Sequence, residues 1–196
     1  MSETAMQKAG QATSMAGTPG AAKNFGTIDG PTKPVGLPRL IAVVLAAGAY
    51  GLPFLLSRST SPTPDHPRVW VWYRLLRQPK FKPPDIVIPI AWTLIETGLA
   101  AAAYRLMRKP STSHRNTSLA LLAGNVAAIG GWSRLFFGGR NLPASTIAAA
   151  AMIGTGVAYV AEARKTDQVA AAAGVPLIAW VAFATVLTAA IWRRNR

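Results

Sequence analysis

The sequence predicts an all-α fold, a bundle of five transmembrane helices with a proline-rich lid loop between helices 1 and 2. Three observations lead to this prediction. Only 14% of the 196 residues are charged, whereas soluble domains carry about 25%. Five apolar stretches approach the roughly 20 residues that a helix needs to cross a bilayer. The cations fall mainly in short clusters between these stretches, where they suit phospholipid headgroups.

The chain divides into a flexible N-terminal tail, residues 1–36, and a membrane domain, residues 37–196. The tail is rich in Gly, Ala, Ser, Thr and Pro and cannot bury enough apolar surface to offset the entropy of ordering. It lacks the apolar core of a secretory signal. It contains acidic residues and no arginine, a composition that is not typical of a mitochondrial presequence. We therefore expect a multi-pass protein of a bacterial cell membrane, rather than of a mitochondrial or other organelle membrane.

The predicted spans are joined by short loops, except for the loop between the first two. Alanine-rich runs without alternation argue against β-strands. The first span has only 17 residues, which tilted neighbours or local thinning of the bilayer can accommodate. In chain order the spans are Leu40–Leu56, Ile86–Met107, Thr117–Phe137, Leu142–Val160 and Val169–Trp192.

The long loop contains the segment WYRLLRQPKFKPP, residues Trp72–Pro84, here named the strap. Its prolines disfavour a helix and favour extended backbone, and a stiff loop of this kind loses little entropy when it closes over a pocket as a lid. The alternative interpretation is an aromatic and cationic anchor at the membrane surface. In either case its cations would face headgroups or an anionic ligand: Arg74, Arg77, Lys80 and Lys82.

Small residues recur four positions apart in the spans, which lets helix backbones approach closely in lipid. Two interpretations stay open, packing within the bundle and a homodimer seam. The pairs are Gly98 and Ala102, Gly124 and Ala128, and Gly154 and Ala158. For a homodimer the candidate surface is on the third span: Gly124, Ala127, Ala128 and Gly131.

Three separated groups of residues form a recognisable pattern. They are Trp72-Tyr73, Leu76, Pro79, Phe81, Pro83-Pro84 and Pro89–Thr93; Trp132, Phe136–Gly138 and Arg140; and Pro176, Ala179–Thr185, Leu187, Trp192-Arg193 and Asn195. In order and spacing this pattern resembles the TspO/MBR family of tryptophan-rich sensory proteins and translocator proteins. The resemblance covers about residues 38–196, with a small length difference around Ala161 to Gln168.

The resemblance implies a five-helix bundle, often dimeric, whose pocket binds tetrapyrroles and, in some members, sterols or synthetic benzodiazepine-type ligands. A porphyrin is an aromatic plate with carboxylates at one edge, so indoles can stack on it and arginines of the strap can clamp its carboxylates. The residues at matching positions are Trp92, Trp180 and Ala184 in the pocket and Phe81, Pro83 and Pro84 in the lid. The candidate ligand-binding set also includes Trp132, Glu96 and Asn125.

The chain departs from the family pattern at several pocket positions. Glu96 stands where the family usually has an aromatic residue, and Ile129, Leu177 and Thr188 stand where it has asparagine, tyrosine and asparagine. The fifth span also lacks the central tyrosine of the sterol-recognition stretch, so sterol recognition through that motif is not supported.

Glu96 lies near the middle of the second span, where an ionised side chain costs several kcal/mol. An acid kept at such a position is by default a candidate functional residue. We expect it to be protonated or paired, with Asn125, Thr93 and Thr97 as candidate partners. A proton-linked role in the ligand pocket and a structural hydrogen bond between helices remain equal alternatives. For Asn125, an interhelical hydrogen bond is the simpler interpretation.

The function expected is binding of a hydrophobic planar ligand, such as a porphyrin or another tetrapyrrole, a sterol or another lipid, for sensing or translocation. The alternative is a structural or accessory subunit of a larger membrane complex, and a porphyrin-degrading enzyme is a third possibility. We expect membrane lipids as partners and no obligatory cofactor. We expect no nucleic acid despite the net charge of +14, and no metal site, because there is no cysteine and the two histidines lie far apart.

Overall fold

The structure, a computed structural model, describes residues 35–196. These residues contain no β-strand. The predicted flexible tail, residues 1–36, lies outside them except for Val35 and Gly36. The helices are α1 (Arg39–Ser57), α2 (Pro67–Leu75), α3 (Val87–Arg108), α4 (Ser113–Ser133), α5 (Leu142–Ala163), α6 (Gln168–Ala172) and α7 (Val175–Arg194). A π-helical turn, Arg134–Gly138, extends α4.

Within the described residues, five segments are long and apolar enough to span a membrane. They are α1, α3, α4 with its π-helical turn, α5, and α6 together with α7. The prediction of an all-α, five-span bundle is confirmed, and the chain is an integral, multi-pass membrane protein. Because five spans cross the bilayer, α2, the π-helical turn and the end of α7 lie at the same face of the bundle.

The fifth predicted span is confirmed as a span, Gln168–Arg194, but it consists of two helices, because the regular helical hydrogen bonding is interrupted at Ala173 and Gly174. Close packing explains the break. A Cβ atom at Gly174 would lie 2.7 Å from the ring of Tyr159, and the Tyr159 hydroxyl donates a hydrogen bond of 2.7 Å to the carbonyl of Ala170. The tyrosine therefore fixes α6 against α5.

Helix α5 packs between α4 and α7, and α1 packs against α3 and α4. The closest approaches use glycines outside the predicted pairs. A Cβ at Gly130 would lie 2.6 Å from Leu56, and one at Gly156 would lie 3.0 Å from Ile178. At Gly124 and Gly154, a Cβ atom would have no described atom of another helix within 4 Å. The prediction that these two glycines pack within the bundle is therefore wrong.

An ion cluster fixes the connection between α5 and α6 to the end of α3. Asp167 is only 2% exposed. It accepts two hydrogen bonds from Arg105, of 3.1 and 3.0 Å, and lies 3.4 Å from the Lys109 ammonium. It also caps α6 by accepting from the Ala170 N–H at 2.9 Å. Burial alone would raise the pKa of Asp167, but the hydrogen bonds from Arg105 and Ala170 and the nearby cations lower it overall.

Candidate ligand-binding site

A cavity of about 570 Å³ lies between α1, α3, α4, α5 and α7. This size falls within the range of roughly 300–1,000 Å³ that is usual for small-molecule sites. Residues 61–63 and helix α2 also line it, so the cavity adjoins the face of the bundle where the strap lies. Most of its lining is apolar and aromatic, as a site for a hydrophobic ligand requires.

Two of the predicted tryptophans form a corner of the cavity. Trp92 on α3 and Trp180 on α7 have ring centroids 6.4 Å apart and planes at 87° to each other. A flat ligand can therefore stack on one indole while its edge meets the other. In this geometry the two indole planes cannot both lie parallel to one flat ligand.

The indole N–H of Trp180 is enclosed by protein, and among the described residues it has no hydrogen-bond acceptor. An unsatisfied buried donor costs about 1–3 kcal/mol. Because this nitrogen has no exposed surface, a ligand atom could reach it only if the surrounding side chains moved. Trp180 therefore contributes its apolar ring to the cavity lining, while its N–H stays enclosed.

A second aromatic group, at the end of α4, also lines the cavity. Trp132 stacks on Phe136 with centroids 4.9 Å apart and planes at 16°, and Phe137 packs edge-on against both. The Trp132 N–H is fixed by a hydrogen bond of 2.8 Å to the Ser145 carbonyl. The π-helical turn positions Phe136 and Phe137 so that both line the cavity, in keeping with the frequent occurrence of such turns at functional sites.

Helix α2 forms part of the cavity roof. Trp70, Tyr73 and Arg74 are spaced i, i+3 and i+4, so they share one helix face, and all three line the cavity. The Arg74 guanidinium lies 4.8 Å from the centroid of the Trp70 ring. The prediction that the strap is non-helical is therefore wrong for its first four residues, which form the last turn of α2.

The proline-rich part of the strap lies outside the cavity lining. Phe81 packs edge-on against Phe183 at 6.5 Å, and Phe183 in turn lines the cavity. Lys82 forms an ion pair with Asp85 and lies 5.3 Å from the centroid of Tyr73. Burial, with a smaller contribution from the charge of Asp85, raises the pKa of the Tyr73 phenol to about 12, so it remains a hydroxyl at neutral pH.

The side chain of Asn195, at the end of α7, is hydrogen-bonded to the backbone of Arg77 in the middle of the strap. The side-chain oxygen Oδ1 of Asn195 accepts from the Arg77 backbone N–H at 2.9 Å, and its side-chain nitrogen Nδ2 donates to the Arg77 backbone carbonyl at 3.2 Å. The same nitrogen donates to the Ile191 carbonyl at 2.7 Å. Movement of the strap at Arg77 must therefore break two hydrogen bonds.

Glu96 is half-buried and lines the cavity, but the predicted partners bond elsewhere. Thr93 and Thr97 donate to carbonyls one turn back, those of Pro89 and Thr93, at 2.9 and 2.7 Å. Asn125 is 1% exposed and joins α4 to α5 by accepting from the Thr155 hydroxyl at 2.9 Å. None of the three candidate partners bonds Glu96, which leaves the protonated alternative of the prediction, and the Glu96 side chain lines the cavity.

The structure brings together about half of the predicted site residues. The cavity is lined by Trp92, Trp132, Trp180, Ala184, Glu96 and Arg74. It is not lined by Phe81, Pro83, Pro84, Asn125, Arg77, Lys80 or Lys82. Lining residues that sequence reasoning missed include Phe54, Trp70, Phe136, Met152 and Phe183.

The charged side chains among the described lining residues are Arg74, Asp85 and Glu96. Asp85 is neutralised by Lys82 in their ion pair. Among the described lining residues, Arg74 on the roof is therefore the cation available to bind an anionic group of a ligand. The carboxyl group of Glu96, when ionised, would repel the same anionic group.

A model described as the TspO/MBR family matches residues 40–193, a range that includes nearly all of the five spans. The translocator protein of Homo sapiens is 26% identical over 126 residues, which cover 63% of this chain and 75% of the relative. The translocator protein of Sus scrofa is 26% identical over 127 residues, with 64% and 75% coverage. Protein CrtK of Rhodobacter capsulatus is 25% identical over 125 residues, with 63% and 78% coverage.

Proposed function

Since this chain belongs to the TspO/MBR family, we propose that it binds a flat, hydrophobic tetrapyrrole in the cavity, for sensing or translocation. The observation that carries the proposal is the arrangement of aromatic rings around a space of about 570 Å³. An indole corner on α3 and α7 and an aromatic group at the end of α4 both line this space.

The plate stacks on one indole of the corner and meets the other with its edge. Offset-stacked and edge-to-face contacts are the arrangements that aromatic rings prefer. Arg74 on the roof binds a carboxylate at the plate's polar edge through charge-assisted hydrogen bonds.

Entry and release require the roof to move, because α2 and residues 61–63 line the cavity. The double hydrogen bond between Asn195 and the Arg77 backbone opposes that movement. In this proposal α2, which includes the first four residues of the strap, acts as the lid. The proline-rich remainder of the strap connects this lid to the bundle.

Titration with protoporphyrin tests the proposal through the fluorescence of the protein's tryptophans. We expect saturable quenching, and we expect Trp92→Leu and Trp180→Leu each to weaken binding by roughly 2- to 10-fold, because an aromatic pair contributes about 0.5–1.5 kcal/mol beyond its buried area.

Trp192→Leu is the matched control for the indole variants. Trp192 lies at the end of α7 and does not line the cavity, so its loss is expected to leave the Kd unchanged. Quenching that never saturates, or a Kd that responds equally to all three substitutions, would contradict the proposal.

A second expected result concerns pH. An ionised Glu96 repels a ligand carboxylate, whereas the protonated acid does not, so binding should tighten as the pH falls through the titration of Glu96. Two charges about 12 Å apart, at an effective dielectric constant of about 20, interact by about 1.4 kcal/mol, or tenfold in Kd.

Glu96→Gln keeps the shape of the side chain and removes its titration. We expect the ratio of the native Kd to the variant Kd to change with pH for protoporphyrin, and to stay constant for a porphyrin without carboxylates. Because Arg74 and Asp85 also line the cavity and are unchanged in the variant, the ratio isolates the contribution of Glu96. A constant ratio for both ligands would remove the proton-linked role.

A further inference from the structure

The face of α2 turned away from the cavity carries a second pattern. Arg68, Val71, Trp72 and Leu75 are spaced i, i+3, i+4 and i+7, so they form one stripe along the helix. At 100° per residue this stripe lies about half a turn from the face that lines the cavity. Val71 is 47% exposed and Leu75 is 77% exposed, so the stripe presents aliphatic surface beside an arginine.

Arg140, in the turn between α4 and α5, closes this stripe into a groove. Its guanidinium carbon lies 5.5 Å from the centroid of Trp72, and its Nη2 donates to the Arg68 carbonyl at 3.4 Å. The lining of the groove is Pro67, Arg68, Val71, Trp72, Leu75 and Arg140. Two guanidinium groups thus share a groove whose described lining contains no carboxylate.

The backbone of Arg140 has a conformation that is unusual for its residue type. Its φ of 50° lies in the left-handed region, which glycine and asparagine occupy most readily. Gly139 directly precedes it, and Asn141 directly follows. An arginine in this conformation is a backbone outlier of the kind that clusters at ligand-binding sites.

From these contacts we infer that the groove binds one anionic phospholipid. The phosphate lies between Arg68 and Arg140, since guanidinium groups match phosphate geometry, and an acyl chain lies along Val71 and Leu75. The groove is at the correct depth, because α2 connects the first two spans and Arg140 follows the third. The inference does not depend on what occupies the cavity.

The chemistry of the groove distinguishes this lipid from its alternatives. A free phosphate ion would make no use of the exposed aliphatic stripe, and a zwitterionic lipid would bring its own cation close to two arginines. An anionic lipid uses both features, and each arginine near an anionic headgroup is worth roughly fivefold in affinity.

The experiment uses the full chain in phosphatidylcholine nanodiscs to which phosphatidylglycerol with brominated acyl chains is added. Bromine quenches nearby tryptophan, and subtracting the signal of Trp72→Phe isolates Trp72 from the other five indoles. We expect a saturable Trp72 component with brominated phosphatidylglycerol and only a weak, non-saturating one with brominated phosphatidylcholine.

The variants Arg68→Gln and Arg140→Gln should each weaken the phosphatidylglycerol component roughly fivefold. Arg164→Gln, an exposed arginine after α5 at the other face of the bundle, is the matched control and should have no effect. Arg140→Gly keeps the turn in a conformation that glycine favours, so a stable Arg140→Gly protein that has lost the phosphatidylglycerol preference separates lipid binding from folding.

Three results would overturn the inference. Equal quenching by the two brominated lipids would mean that the groove does not select charge. An unchanged phosphatidylglycerol component in both glutamine variants would mean that these arginines do not bind the headgroup. Displacement of the component by millimolar inorganic phosphate would identify a phosphate site and not a lipid site.

Discussion

Replacing Ala184 by tryptophan is expected to weaken protoporphyrin binding roughly thirtyfold or more. Ala184 lines the cavity on α7, one turn after Trp180. An indole at this position occupies the space that the plate needs beside the corner. Overfilling a packed site costs about 1–3 kcal/mol, and 2 kcal/mol corresponds to about thirtyfold in Kd. The Kd comes from the same fluorescence titration, or from the shift of the porphyrin absorption band.

Val186→Trp is the matched control, since it introduces the same side chain into the same helix. Val186 is 60% exposed on the lipid-facing side of α7, so its replacement should leave the Kd within about twofold of the native value. Thermal unfolding of both variants checks that each retains the native fold. If a stably folded Ala184→Trp protein bound protoporphyrin as tightly as Val186→Trp, the ligand would lie outside this cavity.

Much of the fold followed from hydrophobicity and length. The second and fourth predicted spans, Ile86–Met107 and Leu142–Val160, differ from α3 and α5 by at most three residues at either end, because runs of apolar residues of bilayer length permit few other structures. The break before Val175 was not predictable in this way. It depends on the contact between Gly174 and Tyr159, which lies in tertiary packing and leaves the apolar pattern continuous.

Part of the site was predictable because indoles and a small pocket residue recur in a specific order along the chain. The roof was missed for a local reason. The prolines within the strap predict a non-helical segment. Pro67 lies before the strap, in the first turn of α2, where proline is favoured. Recognition of that start would have placed Trp70, Tyr73 and Arg74 on a common face.

The interhelical hydrogen bond predicted for Asn125 is present, but the packing prediction for Gly124 and Gly154 and the partners predicted for Glu96 failed, because several registers fit the same sequence. Glycine and alanine are frequent in every span, so spacing alone could not select Gly130 and Gly156 over Gly124 and Gly154. Similarly, the hydroxyl of Thr93, near Glu96 in sequence, bonds its own helix backbone. A threonine in a helix always has such a carbonyl within reach, so proximity in sequence is weak evidence for pairing with a neighbouring acid.

Replacing Asp167, one of the two buried charged residues that the structure describes, is expected to cause a clear loss of stability. Asp167→Asn keeps the ability to cap α6 but loses the ionic bonds to Arg105 and Lys109. Because Arg105 is 44% exposed, we expect about 1–2 kcal/mol, below the roughly 3–5 kcal/mol measured for fully buried pairs. Asp167→Ala also removes the cap and should cost about 1 kcal/mol more.

The pH dependence identifies the ionic part of this effect. The folded-state pKa of Asp167 is lowered, so the stabilisation is fully present above the unfolded value of about 3.9. It is lost as the pH falls through the folded pKa, because the folded state must then also take up the proton. The difference in unfolding free energy between the native protein and Asp167→Asn should therefore be constant near neutral pH and shrink below about pH 4.

Thermal or denaturant unfolding in detergent, followed from pH 7 to pH 3, measures this difference. Asp65→Asn, at an exposed position before α2, is the control and should change stability little at any of these pH values. A difference for Asp167→Asn that stays the same in acid would mean that shape and packing, and not charge, hold the α5–α6 connection. A difference that disappears in acid would make the charge of Asp167 the link that fixes α6, and through it Gly174 and the start of α7, against the rest of the bundle.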